Sequence, residues 1–206
     1  MVSQRNRIIN LVNYLETLGI IVNIGKNKAR GNKGFFKVVN NNYRIDIANN
    51  LTEDAILRVL VHEFAHYVHY KNDKSLKSLD FILPNLNDDL HEELISLTVE
   101  SIPKESIKPL FDIKERLENE LRTTQSSFFN NIKQRQLRSI NSKIQRLNRY
   151  YNSYTELFAR SMEIYVLEND KFSKKAPLLK KLYDSEFSKK QNLELSNFIK
   201  IFINTI

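Results

Sequence analysis

Three of the four histidines in this chain fall between positions 62 and 69. The segment His62-Glu63-Phe64-Ala65-His66 has the form HExxH. On a helix, residues four apart share one face, so both imidazoles can reach a single ion at about 2.0–2.1 Å. Glu63 projects about 100° away from them, placed to take a proton from an activated water rather than to bind the ion. His69 extends the run to HExxHxxH. It lies seven residues, or about 10.5 Å, beyond His62 along a straight helix. That separation suits a supporting or helix-end residue better than a third ligand.

A catalytic zinc takes three protein ligands and keeps one position open. The chain has no cysteine, and His91 is isolated, so the third ligand is expected to be a carboxylate. The candidates are Glu156 in YTELFARSMEIYV, Glu92 and Glu93 in DDLHEELISLTVE, and Glu163 and Glu100. Ser153-Tyr154-Thr155-Glu156 also fits a capping box, which offers a purely structural use for Glu156. Arg160 and Glu163, at i and i+3, read as a helix ion pair or as a group that orients a carboxylate.

The elements that must position these residues follow from hydrophobic periodicity. Residues 52–70 form the strongest helix, with Thr52 as cap and Glu53 and Asp54 favourable to its N-terminal dipole. On it, Leu57, Val61, Phe64 and Val68 make an apolar side. His62 and His66 sit opposite, beside the smaller Ala55 and Val59, as a cleft floor would require. Upstream, Ile8, Leu11, Val12, Leu15 and Leu18 recur at helical spacing, capped by Ser3 and stopped by Gly19. Short strands are expected at 20–25, 34–40 and 43–48, the last two joined as a hairpin through Asn40, Asn41 and Asn42, with a loop from Lys26 to Gly34. Helices are expected at 88–101, 104–122, 127–149, 154–169 and 192–204, punctuated by Pro84, Pro103 and Pro177. The fold class is therefore α+β, a small N-terminal antiparallel sheet and an active-site helix followed by a mostly helical part.

The 206 residues are 41% hydrophobic and 27% charged, with only four glycines, four prolines and no tryptophan. That composition excludes a disulfide framework, a thiol nucleophile and a glycine-rich phosphate loop. No apolar run is long enough for a membrane span. The first 19 residues read as an amphipathic helix rather than a signal peptide, and a cytoplasmic location is expected. The net charge is +8. Between Leu121 and Thr155 there is no acidic residue, but there are Arg122, Lys133, Arg135, Arg138, Lys143, Arg146 and Arg149. With TTQSS at 123–127 as a turn, this stretch is expected to fold as an αα-hairpin against the acidic 112–120 segment, its arms pairing opposite charges. A nucleic-acid surface is the less favoured expectation.

HEFAHYVHY followed by TELFARSMEIYV resembles the gluzincin metallopeptidases, in particular the lethal-factor-like branch and the related zincin domains of large phage polyvalent proteins. NLELSNFIKIFINTI is similar to that branch's closing helix. The resemblance implies a single zincin-like domain over residues 1–206 with a helical insertion at about 100–150. It implies Zn2+ as cofactor, His62, His66 and Glu156 as ligands, Glu63 as general base and a protein or peptide substrate. It also implies an oxyanion-stabilising tyrosine among Tyr150, Tyr151 and Tyr154, of which Tyr151 is chosen, and a possible phage or virion association. Ala65 stands where the branch usually has glycine, and His69 where it often has aspartate. The substrate is expected along the YRIDIA strand, provided that strand is a free edge. The rival expectation is a metal-bearing phage or virion domain without turnover, contacting nucleic acid through 121–155.

Overall fold

The computed structural model describes residues 3–26, 33–83, 86–102, 104–123, 127–189 and 192–204. Most of the expected Lys26–Gly34 loop and the centre of the 123–127 turn lie outside them. The class is α+β: twelve elements among the described residues, three of them strands. The chain divides into two compact units, Met1–Thr98 with Tyr154–Ile206, and Val99–Ser153, the second interrupting the first in sequence.

The first unit opens with α1 (Gln4–Thr17), where Ser3 accepts a hydrogen bond from the Asn6 amide. Ile8, Leu11 and Leu15 are its buried face. Gly19 ends it at φ +76°, a conformation that glycine reaches without a Cβ penalty. Strands β1 (Ile20–Lys26), β2 (Gly34–Val39) and β3 (Asn42–Ala48) follow. Asn40 and Asn41, at φ 50° and 62°, make the two-residue β2–β3 hairpin turn that asparagine tolerates.

The sheet is mixed rather than antiparallel. Its order is β1-β3-β2, with β1 parallel and β2 antiparallel to β3. Strand β3 therefore occupies the middle, hydrogen-bonded on both sides, and the YRIDIA segment offers no free edge. Alternation fixes which face a residue occupies, and Ile45 and Ile47 are fully buried as it requires. It does not fix which strand lies beside which.

Helix α2 (Glu53–Asn72) packs across the sheet, capped by the Thr52 hydroxyl. Gly34 permits this approach: a Cβ there would stand 2.3 Å from a Val59 methyl. After α3 (Asp88–Val99), the unit resumes with α6 (Tyr154–Leu167), α7 (Asn169–Lys175), α8 (Pro177–Ser188) and α9 (Leu193–Asn204). Pro177 sits in the first turn of α8, where its missing N–H costs nothing. Phe64 of α2 stacks on Phe198 of α9 with ring centroids 4.2 Å apart. The Tyr14 hydroxyl of α1 donates to the Glu194 carbonyl, and Lys71 pairs with the Glu194 carboxylate, so α9 is tied to α1 and α2.

The second unit holds α4 (Lys104–Thr123) and α5 (Ser127–Tyr151), with a small core of Leu117, Ile140 and Ile144. Among the described residues, no helix is long and apolar enough to cross a membrane.

Candidate metal centre

Two helices of the first unit build the site. Helix α2 supplies His62 and His66 one turn apart, with rings 4.6 Å between centroids. Helix α6, which packs on α2, supplies Glu156 from its first turn. The Nε2 atoms of His62 and His66 lie 3.0 Å apart. The Glu156 carboxylate sits 3.3 Å from His66 Nε2 through one oxygen and 3.7 Å from His62 Nε2 through the other. Ligand atoms placed about 2.05 Å from a tetrahedral ion are about 3.3 Å from one another, and the three observed separations bracket that value.

The outer nitrogens of both rings are anchored. His62 Nδ1 meets Glu163 Oε1 at 2.6 Å, and His66 Nδ1 meets Thr155 Oγ1 at 3.0 Å. Such partners hold the rings in place and aim Nε2 inward. The contact between the two Nε2 atoms requires one of them to carry a proton and donate to the other. The proton between the two Nε2 atoms then occupies the place a cation would take. Burial lowers the His62 pKa, but the hydrogen bond and charge of Glu163, followed by Glu63 and Glu156, outweigh it and raise the value to about 9. A donor set of two imidazoles and one buried carboxylate fits the ligand chemistry of a zinc ion.

Glu63 is 5% exposed. Its Oε2 accepts the Phe36 amide at 2.6 Å. Burial raises its pKa, opposed by the two histidines and the Phe36 amide. In β2 the Lys33 carbonyl turns toward β3, accepting the Ala48 amide, so by alternation Gly34 and Phe36 present their backbone groups on the other edge. The candidate base thus lies at the edge of β2 that faces away from β3, unpaired with any other strand among the described residues.

The remaining sequence candidates have other contacts. Glu93 accepts the Leu178 and Leu179 amides at 3.3 and 2.9 Å and caps α8. Glu92 is exposed. Glu100 belongs to the second unit. Glu163 reaches His62 rather than the ligand position. Arg160 is buried and donates to the backbone carbonyls of Glu156 and Thr98, tying α6 to the end of α3. His69 is fully buried, with Nε2 2.8 Å from the Ser78 carbonyl, and so holds the segment after α2. The Ser153 hydroxyl donates to the Tyr150 carbonyl. Tyr154 is exposed and its ring meets His91. Tyr151 closes α5 in the second unit, its ring edge-on to Tyr150.

Sequence reasoning missed Thr155 and Phe36, and it gave Glu163 no contact with His62. Position 155 carried a usable signal, a hydroxyl beside the proposed ligand. The Phe36 contact is made by backbone and leaves no trace in residue type. No protein-family model matches the chain, and no curated protein or solved structure matches it.

Proposed function

We propose that this protein is a zinc-dependent peptidase of the gluzincin type. The observation that carries the reading is the convergence of His62 Nε2, His66 Nε2 and the Glu156 carboxylate beside a buried Glu63. Zinc held by those three residues would supply Lewis acidity, making water a nucleophile near neutral pH and polarising a carbonyl. Glu63 takes the water proton and delivers it to the leaving amine, and its raised pKa brings it closer to a working pH. Glu163 and Thr155 keep the two imidazoles aimed inward.

The substrate is an extended protein or peptide segment. It pairs with the free edge of β2 rather than with β3, because that edge carries the outward backbone groups of Gly34 and Phe36 next to Glu63. Entry of the substrate requires Glu63 to release the Phe36 amide, which exchanges that bond for one to the incoming strand.

The test compares zinc-loaded wild type with Glu63→Gln on a mixture of unfolded proteins, reading new chain termini by mass spectrometry. Glutamine keeps the shape but cannot take the proton, so cleavage should drop by about 10²–10⁴ while zinc content stays unchanged. Equal cleavage by both proteins would remove Glu63 from the mechanism. A fully zinc-loaded wild type that cleaves nothing would make the site structural.

A further inference from the structure

Helix α5 carries six basic residues and no acidic one. The pairing of opposite charges expected across the α4–α5 hairpin is present at Lys133, which reaches Glu120 at 3.4 Å. The acids of α4 also pair within their own helix, Glu118 with Lys114 and Glu120 with Arg116. Among the described residues, Arg135, Arg138, Lys143, Arg146 and Arg149 have no acidic partner, and all five are exposed.

Helical phase explains this. At about 100° per residue, Arg135, Arg138, Arg146 and Arg149 fall within an arc of about 80°, centred opposite the buried Ile140 and Ile144. Lys133 falls on the core side, within reach of α4. The arginines therefore point where α4 cannot follow, and they form a stripe about 21 Å long. Ser139 and Ser142 lie between them and Asn131 just before them, all able to hydrogen-bond and none negative. Phe128, 67% exposed, lies on the same face before the stripe, and the exposed Tyr150 lies at its far end.

We propose that the outer face of α5 binds single-stranded nucleic acid. Arginine forks engage phosphates with two parallel hydrogen bonds, and a row of them without interspersed acids suits a repeating anion better than an isolated one. The exposed Phe128 and Tyr150 rings offer stacking surfaces at both ends, which unpaired bases can use and a closed duplex cannot. Asp112 and Glu115, exposed on α4, repel a polyanion from that arm and confine it to α5.

The test uses the full chain and a fluorescein-labelled single strand of mixed sequence, read by anisotropy from 50 to 200 mM KCl. Neutralising four to five phosphates gives a log–log salt slope of about −3, hence roughly a 100-fold loss of affinity over that range. Changing Arg135, Arg138, Arg146 and Arg149 together to Gln keeps helix propensity and should weaken binding at least tenfold while flattening the slope to about −1. A control with Arg5, Lys174, Lys181 and Lys200 changed to Gln removes the same net charge from the first unit and should bind within twofold of wild type. Phe128→Ala should weaken the single strand severalfold. Circular dichroism and zinc content must match wild type for every variant. No binding at 50 mM salt, an equal loss in the control variant, or tighter binding of a matched duplex or of anionic phospholipid vesicles would each overturn the proposal.

Discussion

Replacing Glu163 by glutamine removes one charge from beside the proposed zinc site without replacing any of its three candidate ligands. In the metal-free protein the Glu163 carboxylate lies 2.6 Å from His62 Nδ1 and is the main reason the His62 pKa reaches about 9. At pH 7 a group with that pKa is about 99% protonated, so zinc must displace a proton, which weakens apparent binding by about 100-fold, or about 2.7 kcal/mol. Wild-type affinity should therefore rise about tenfold per pH unit from 7 and level off near pH 9. Glu163→Gln lowers the His62 pKa and eases this competition, but it leaves the imidazole a poorer and less firmly held donor. Loss of such a partner typically costs about 10–100-fold in metal affinity. The variant should bind about 10–100-fold more weakly at pH 9.5, with the gap narrowing toward pH 6.5. Competition against a chromophoric chelator across this range measures it. The metal-free protein supplies a second readout. Because the folded pKa is raised above the ordinary histidine value, the His62–Glu163 pair stabilises the fold fully below about pH 6.5 and loses that contribution as pH climbs through about 9. Tm of the metal-free wild type should fall over that window more than Tm of the variant. Identical pH profiles for the two proteins, in both measurements, would refute the reasoning.

Gly34→Ala places a methyl 2.3 Å from Val59 and should cost about 1–3 kcal/mol, seen as a lowered Tm, with partial recovery when Val59→Ala opens the space. Asp46, almost fully buried, accepts from Asn23 and Arg44 and pairs with Lys37. Burial raises its pKa, but the Lys37 and Arg44 contacts outweigh that and depress it. Its contribution is thus present above the ordinary aspartate value and lost as pH falls through the depressed one. Asp46→Asn should cost about 1.5–3 kcal/mol at pH 7 in urea unfolding and make the remaining stability less sensitive to acid.

The parts of the site that could be read from sequence are those fixed by local spacing. HExxH places two imidazoles and a carboxylate through helix geometry alone, and Thr52, Ser3, Gly19 and the Asn40–Asn41 turn are likewise local signals. Glu156 lies 90 residues beyond His66, and only the resemblance singled it out from the other carboxylates. The contacts of Glu163 and Thr155 depend on how α6 packs on α2, which no short-range pattern encodes. The sheet divided in the same way. Alternation gave the buried face of β3, while its central place and the parallel direction of β1 come from pairing between distant segments. Opposite charge in the sequence likewise foretold a hairpin, but helical phase turned the four α5 arginines away from α4.

The most direct test of the centre is zinc content, measured by elemental analysis after exhaustive dialysis, in wild type, Glu156→Ala and Glu93→Ala. Wild type should hold about one zinc per chain. Glu156→Ala should be folded but zinc-poor, because one ligand and one neutralising charge disappear together. Glu93→Ala should retain wild-type zinc and lose about 0.5–2 kcal/mol of stability through the lost cap on α8. A fully loaded Glu156→Ala beside a zinc-poor Glu93→Ala would contradict the account, and so would a wild type that binds no zinc at all.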